Sequence, residues 1–144
     1  MDYPYRLTWN RAEIDHRAVW QWLTTDSYWA RGRPWEVQRK ANENSHCLAL
    51  LTPDGATAAF ARVVTDGATF GWLADLFVFP EHRQRGLAKR LVQAVVEDPE
   101  LGAMQRLLLG TLDAHSLYEA FGFKPDDRDR FMERMGPGAT QSEC

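Results

Sequence analysis

Apolar and polar positions recur along this chain with two periods, and together they mark out its elements. Tyr5 to Asn10 alternates and is rich in aromatic and β-branched types, which predicts a first strand. Asp15 is placed to cap a helix running to about Thr25, with Val19, Trp20, Trp22 and Leu23 as its buried stripe. Asp26 to Pro34 reads as a loop, and Pro34 suits the first turn of a second helix reaching about Asn44. His46 to Thr52, Ala58 to Thr65 and Thr69 to Phe79 read as three strands of an antiparallel meander, separated by the turn signals Pro53-Asp54-Gly55 and Asp66-Gly67. After Pro80, the positions Leu87, Leu91, Val92, Val95 and Val96 repeat at helical spacing up to Glu97, and Pro99 stops them. Arg106 to Thr111 is an apolar strand. Asp113 to Phe121 is a short helix with Asp113 as N-cap and Gly122 at C′. Phe131 to Met135 reads as a last strand and the tail from Gly136 as loose. The order β-α-α-β-β-β-α-β-α-β implies an α/β domain of the α+β type, with a mixed, largely antiparallel sheet flanked by helices.

At 144 residues and 16.5 kDa the chain has the size of a single domain spanning 1–144, with 136–144 as a flexible tail. Hydrophobic residues at 44% and charged residues at 26% are ordinary globular usage, which argues against disorder or a coiled coil. No apolar run approaches the roughly 20 residues that span a bilayer. The start, Met1 to Arg6, lacks the pattern of a signal peptide. Two cysteines, Cys47 and Cys144, make no disulfide framework, so a reduced, cytoplasmic compartment is expected. A net charge of −3 gives no global attraction for nucleic acid or for a membrane surface.

That net charge is unevenly spread. Arg83, Arg85, Lys89 and Arg90 place +4 in one window without an acid, against thirteen basic and twenty acidic residues in the rest of the chain. The window stands at a predicted helix start, where the dipole is already positive and the first N–H groups lack partners. Cations there are unfavourable unless an anion fills the site. Gly86 lets a ligand approach the backbone, and the N–H groups then cradle phosphate oxygens. The alternative is a solvated basic turn. Neither a P-loop nor a Gly-x-Gly-x-x-Gly fingerprint is present. His16, His46, His82 and His115 are scattered, Asp126 to Arg130 lacks the spacing of a calcium loop, and no nucleophile elbow occurs, so no metal and no hydrolase triad is expected.

The segment Val78-Phe79-Pro80-Glu81-His82-Arg83-Gln84-Arg85-Gly86-Leu87-Ala88 resembles the V-x-P-x-x-R-x-x-G-x-G/A signature of the GNAT superfamily of acyl-CoA-dependent N-acetyltransferases. Ala114-His115-Ser116-Leu117-Tyr118-Glu119-Ala120-Phe121-Gly122-Phe123 is similar to that family's A-x-x-L-Y-x-x-x-G-F stretch. Both occur in the family's order with a strand between them. The resemblance is good from Thr69 to about Met135; before that only the element order matches.

The resemblance implies acetyl-CoA as cosubstrate, with no metal, and transfer of the acetyl group by direct attack of an amine in a ternary complex. It maps the pyrophosphate onto the backbone of Arg83, Gln84, Arg85, Gly86, Leu87 and Ala88. Lys89 and Arg90 fall toward the adenosine 3′-phosphate. Phe77, Val78 and Phe79 hold the strand positions that pair with pantetheine, and an N–H near Phe77 is expected to face the thioester carbonyl. Tyr118 matches the general acid; the alternative is that it packs with Leu117 and Phe121. Thr111 replaces the family's frequent Asn, with a shorter reach. Asp75 stands one residue past the family's frequent strand Glu, where Ala74 is found, and one residue along a strand reverses the face. Asp75 is therefore either a general base acting through water or a structural acid. Asp113 and His115 are further candidates for the amine's proton. Tyr28, Trp29, Arg31 and Arg33 form an expected acceptor pocket with an anion-binding edge, suited to a small amine that carries an acidic group. A homodimer is left open. The competing readings are a non-catalytic acyl-CoA sensor on the same fold and a protein or peptide N-acetyltransferase.

Overall fold

The computed structural model describes residues 4–138. Met1–Tyr3 and residues 139–144 lie outside them, and with them Cys144 and most of the expected tail. Five strands, β1 (Arg6–Thr8), β2 (His46–Leu51), β3 (Thr57–Thr65), β4 (Phe70–Val78) and β5 (Arg106–Leu108), form one sheet in the order β1-β2-β3-β4-β5. The first three pairings are antiparallel, and β5 joins parallel to β4. Helices α1 (His16–Asp26), α2 (Trp35–Glu43), α3 (Leu87–Glu97) and α4 (His115–Glu119) complete the order.

Each helix is fixed by its sequence. Asp15 caps α1 by accepting the N–H of Ala18 at 3.0 Å. α3 buries Leu87, Leu91, Val92 and Val95, each stabilising by about 1.5–3 kcal/mol. These side chains meet Leu48, Leu50, Ala59, Ala61, Val63 and Leu73 of the sheet in one core. The other face of the sheet holds a second core of Val19 and Leu23 from α1 with Ala49, Leu51, Phe60 and Phe77. Trp20 and Trp35 staple α1 to α2, edge to face at 5.7 Å, with the Arg17 guanidinium over both rings. α4 ends in paired bonds, Gly122 N–H to Glu119 O and Phe123 N–H to Tyr118 O, around Gly122 at φ +89°. This is the Schellman closure that a C′ glycine permits.

Three expectations change. Asp113 does not cap α4: Ala114 is its N-cap, and the Thr111 hydroxyl accepts the Ala114 N–H at 3.1 Å. β5 stops at Leu108, three residues short of Thr111. Phe131–Met135 forms no strand, because no neighbouring strand lies alongside it among the described residues.

Strand β4 is irregular in two places. The β3–β4 register shifts between Phe60 and Arg62, so Asp75 and Leu76 bulge opposite Ala61, with Asp75 at φ +53°. Leu73 belongs to the core under α3, whereas Asp75 and Phe77 turn to the side of α1 and α2. Arg62, which pairs with Ala74, reaches Asp75 from that same side, so the expected face reversal between Ala74 and Asp75 is cancelled by the bulge. The second irregularity is a splay. β5 pairs only with Phe70, Gly71 and Trp72. From Leu73 onward the β5 side of β4 carries no strand among the described residues.

Candidate active site

The half of β4 that has no partner on its β5 side leads through a 3₁₀ turn at Pro80–His82 into α3. Gln84 at φ +64° and Gly86 at φ +74° curl the chain so that successive N–H groups point outward. A Cβ on Gly86 would meet nothing within 4 Å, so this surface is open. The N–H groups of Gln84 to Lys89 reach no acceptor among the described residues; the next, Arg90, donates to Gly86 O. These donors at the positive end of α3 suit a polyanion. Three of the four cations are held in place around them. The Arg83 Nε donates to Val78 O at 3.1 Å, with its guanidinium 5.7 Å from the Trp22 ring centre. Arg85 donates to the Tyr5 hydroxyl at 2.9 Å, which also meets the His82 ring nitrogen. Arg90 donates to Tyr5 O at 3.1 Å. Lys89 is exposed.

Phe79 N–H donates to Ala58 O, and the same register turns the N–H of Phe77 toward Phe60. The open edge near Phe77 is therefore presented by Val78, one residue beyond the expected donor. Val78 borders a cavity of about 620 Å³. Trp22, Phe77, Pro80 and Arg83 line one part of it. Asp26, Ser27, Tyr28 and Trp29, at the end of α1 and in the loop after it, also line it, as does Asp113 from the segment before α4. The walls are aromatic: Trp22 stacks on Phe77 at 4.4 Å, and Tyr28 meets Trp29 edge-on at 5.0 Å. The Tyr28 hydroxyl accepts the N–H of Leu112 at 3.1 Å, tying the α1–α2 loop to the segment before α4.

Tyr118 is buried beside this segment, with its ring edge-on to Phe123. Burial, with smaller contributions from Tyr28 and Asp113, pushes its phenol up to about 12. Asp75 is not free. Its Oδ1 accepts from Trp29 Nε1 at 2.8 Å, and its Oδ2 from Arg33 at 2.8 Å, Arg62 at 2.8 Å and Gln38 at 3.2 Å. Burial alone would raise this carboxyl, but the Arg62 and Arg33 guanidinium groups outweigh it and hold it below the ordinary range. Thr111 spends its hydroxyl on Ala114. His115 is exposed and outside the cavity wall.

The expected acceptor pocket divides. Tyr28 and Trp29 line the cavity, Arg33 is committed to Asp75 and Gln38, and Arg31 is exposed away from the wall. Arg62, Gln38, Trp22 and Asp26 were not singled out for the site from the sequence. A lone arginine in the apolar strand Ala58–Val64 is the signal that points to Arg62. Buried Cys47, its thiol pushed up by burial, is a core residue. No group of three potential ligands for a metal ion, and no helix long and apolar enough to cross a membrane, occurs among the described residues.

Comparison with known proteins agrees with this geometry. The model of the acetyltransferase (GNAT) family matches residues 16–123. A protein of Gibberella zeae, named as a candidate acetyltransferase, is 34% identical over 133 residues, which cover 79% of this chain and 75% of that one. The crystal structure of a candidate GNAT-family acetyltransferase from Xanthomonas campestris pv. campestris is 38% identical, with a TM-score of 0.87, and covers 93% of this chain and 94% of that one. A Clostridium acetobutylicum acetyltransferase structure with acetyl-CoA shares the fold at a TM-score of 0.67 and 15% identity, over 91% of this chain and 94% of that one.

Proposed function

This chain belongs to the acetyltransferase (GNAT) family, and from that premise we propose that it transfers the acetyl group of acetyl-CoA to the primary amine of a small molecule. One observation carries the reading: the unsatisfied N–H row at Gln84–Lys89 follows closely on the open edge of β4, and Val78, Pro80 and Arg83 between them border an aromatic-walled cavity. A phosphate-bearing head and an extended, amide-containing arm fit that succession. Acetyl-CoA supplies an activated thioester.

The protein's part is positional and electrostatic. The amides of Gln84 to Lys89 hold the phosphates, while the Arg83 N–H, expected among them, is spent on Pro80 O; the side-chain charge of Arg83 and Arg85 helps. Phe77, Val78 and Phe79 guide the arm, and the Val78 N–H is the strand donor available to a carbonyl oxygen in the cavity. Tyr118 keeps its proton at neutral pH, since burial moves its phenol to about 12, and offers it to the departing sulfur. Asp75 acts as an organiser: it fixes Trp29 and Arg33 and so shapes the loop that walls the acceptor side. The attacking nitrogen is neutral, and its proton leaves to water in the open cavity.

Thermal melting and thiol release test the proposal together. Acetyl-CoA at about a hundredfold over Kd raises Tm by roughly 5–10 °C, and free thiol appears when an acceptor amine is added. A missing Tm shift at millimolar acetyl-CoA or CoA removes the cofactor assignment. A shift without thiol release from any amine or peptide favours a sensor.

A further inference from the structure

Resting on the acetyl-transfer reading, we propose that the acceptor is an amine carrying a second positive charge, of the aliphatic diamine class, and that Asp26 with Asp113 recognises this charge. The cations that the sequence offered for an acidic acceptor are not available in the cavity. Arg33 is spent on Asp75, and Arg31 does not line the wall. The wall instead carries two carboxylates, Asp26 and Asp113, against one guanidinium. That guanidinium, Arg83, is bound to Val78 O on the side of the phosphate loop.

Asp26 is the last residue of α1, where the helix dipole is negative and an acid is disfavoured. No basic residue lies in that last turn. Among the described residues the Asp26 carboxylate has no hydrogen bond or ion pair, and the carbonyl oxygens of Thr25 and Asp26 receive no N–H. Negative charge thus gathers at the end of α1, on the cavity wall, as positive charge does at the start of α3. A cation relieves it. Trp22, Tyr28 and Trp29 add π surfaces on which an ammonium and its methylene stem pack.

The chemistry separates two nitrogens. The reacting one must be neutral: its lone pair forms the N–C bond, the C–S bond breaks, sulfur keeps the electron pair and ends as thiol, and the amine gives up one proton. A charge that is recognised must therefore sit on a second nitrogen. A carboxylate in its place meets Asp26 and Asp113 and is repelled.

Thiol release at fixed acetyl-CoA, compared for 1,3-diaminopropane, propylamine and β-alanine, tests this. The expected order of kcat/KM is diamine, then propylamine, then β-alanine, with about fivefold between neighbours. In Asp26→Asn the ratio of diamine to propylamine falls toward one, through KM. In Asp26→Lys, β-alanine overtakes the diamine. Each variant's Tm and its shift with acetyl-CoA verify that it is folded. β-Alanine used as well as the diamine by the unaltered protein, or a ratio unmoved in Asp26→Asn, overturns the inference. A Tm shift with acetyl-CoA but no thiol from any of the three does the same. Absence of both the shift and the thiol overturns the acetyl-transfer reading itself.

Discussion

A carboxylate only 5% exposed is costly to keep charged unless partners repay its lost hydration. Asp75 has two arginines, a glutamine amide and an indole N–H, and its backbone takes the left-handed conformation to meet them. Asp75→Ala leaves two guanidinium groups without a counter-ion, and urea unfolding is expected to show a loss of about 3–5 kcal/mol. Because its folded pKa is depressed, the contribution of Asp75 is complete above the unfolded carboxylate range near 3.8 and is lost as pH falls through the lower folded value. Stability measured between pH 5 and pH 2 therefore falls less steeply in Asp75→Asn than in the unaltered protein. Tyr118→Phe is expected to lower kcat by about 10²-fold with the KM for acetyl-CoA unchanged. A phenol near 12 puts no loss of activity from this group below pH 10 in the rate profile. The sequence left Asp75 between base and structural acid. The deciding partners stand 42 and 13 residues away, Arg33 and Arg62, and no local pattern announces such a meeting.

Among the elements, α3 was legible to its ends, Leu87 and Glu97, because a five-position apolar repeat, four of whose residues are buried, and flanking Gly86 and Pro99 leave one consistent reading. The meander was legible too, with strand ends within two residues. What the pattern did not hold was the bulge, which changes the face of Asp75 without changing the alternation of buried and exposed positions. Nor did it show that Phe131–Met135 would lack a neighbour; a strand-like segment describes only half of a pairing. The glycine turns carry a prediction at this scale. Gly86→Ala meets no atom but forces an L-residue to φ +74°, at about 1–2 kcal/mol. Gly102→Ala puts a Cβ 2.2 Å from Val96 O, a backbone atom that must shift. Thermal melts are expected to rank Gly102→Ala as the more damaging.

Across the whole molecule, the sequence located the positive segment but not how its charges are held. Arg85 and Arg90 are tethered to Tyr5, so the first strand's approach helps hold the start of α3. The cavity, by contrast, joins the end of α1, the end of β4 and the segment before α4, and its two carboxylates come from distant parts of the chain. Arg31 and Arg33, from which an anion-binding edge was expected, do not line it. The splay between β4 and β5 has a kinetic counterpart. Phe77 and Phe79 turn their amide protons into the ladder with β3, while Val78 between them turns its own outward. Three consecutive residues of one strand should then exchange with deuterium in a slow-fast-slow comb. An extended arm lying along the strand would fill the gap and slow Val78 alone, so the exchange rate of a single amide reports occupancy of the slot.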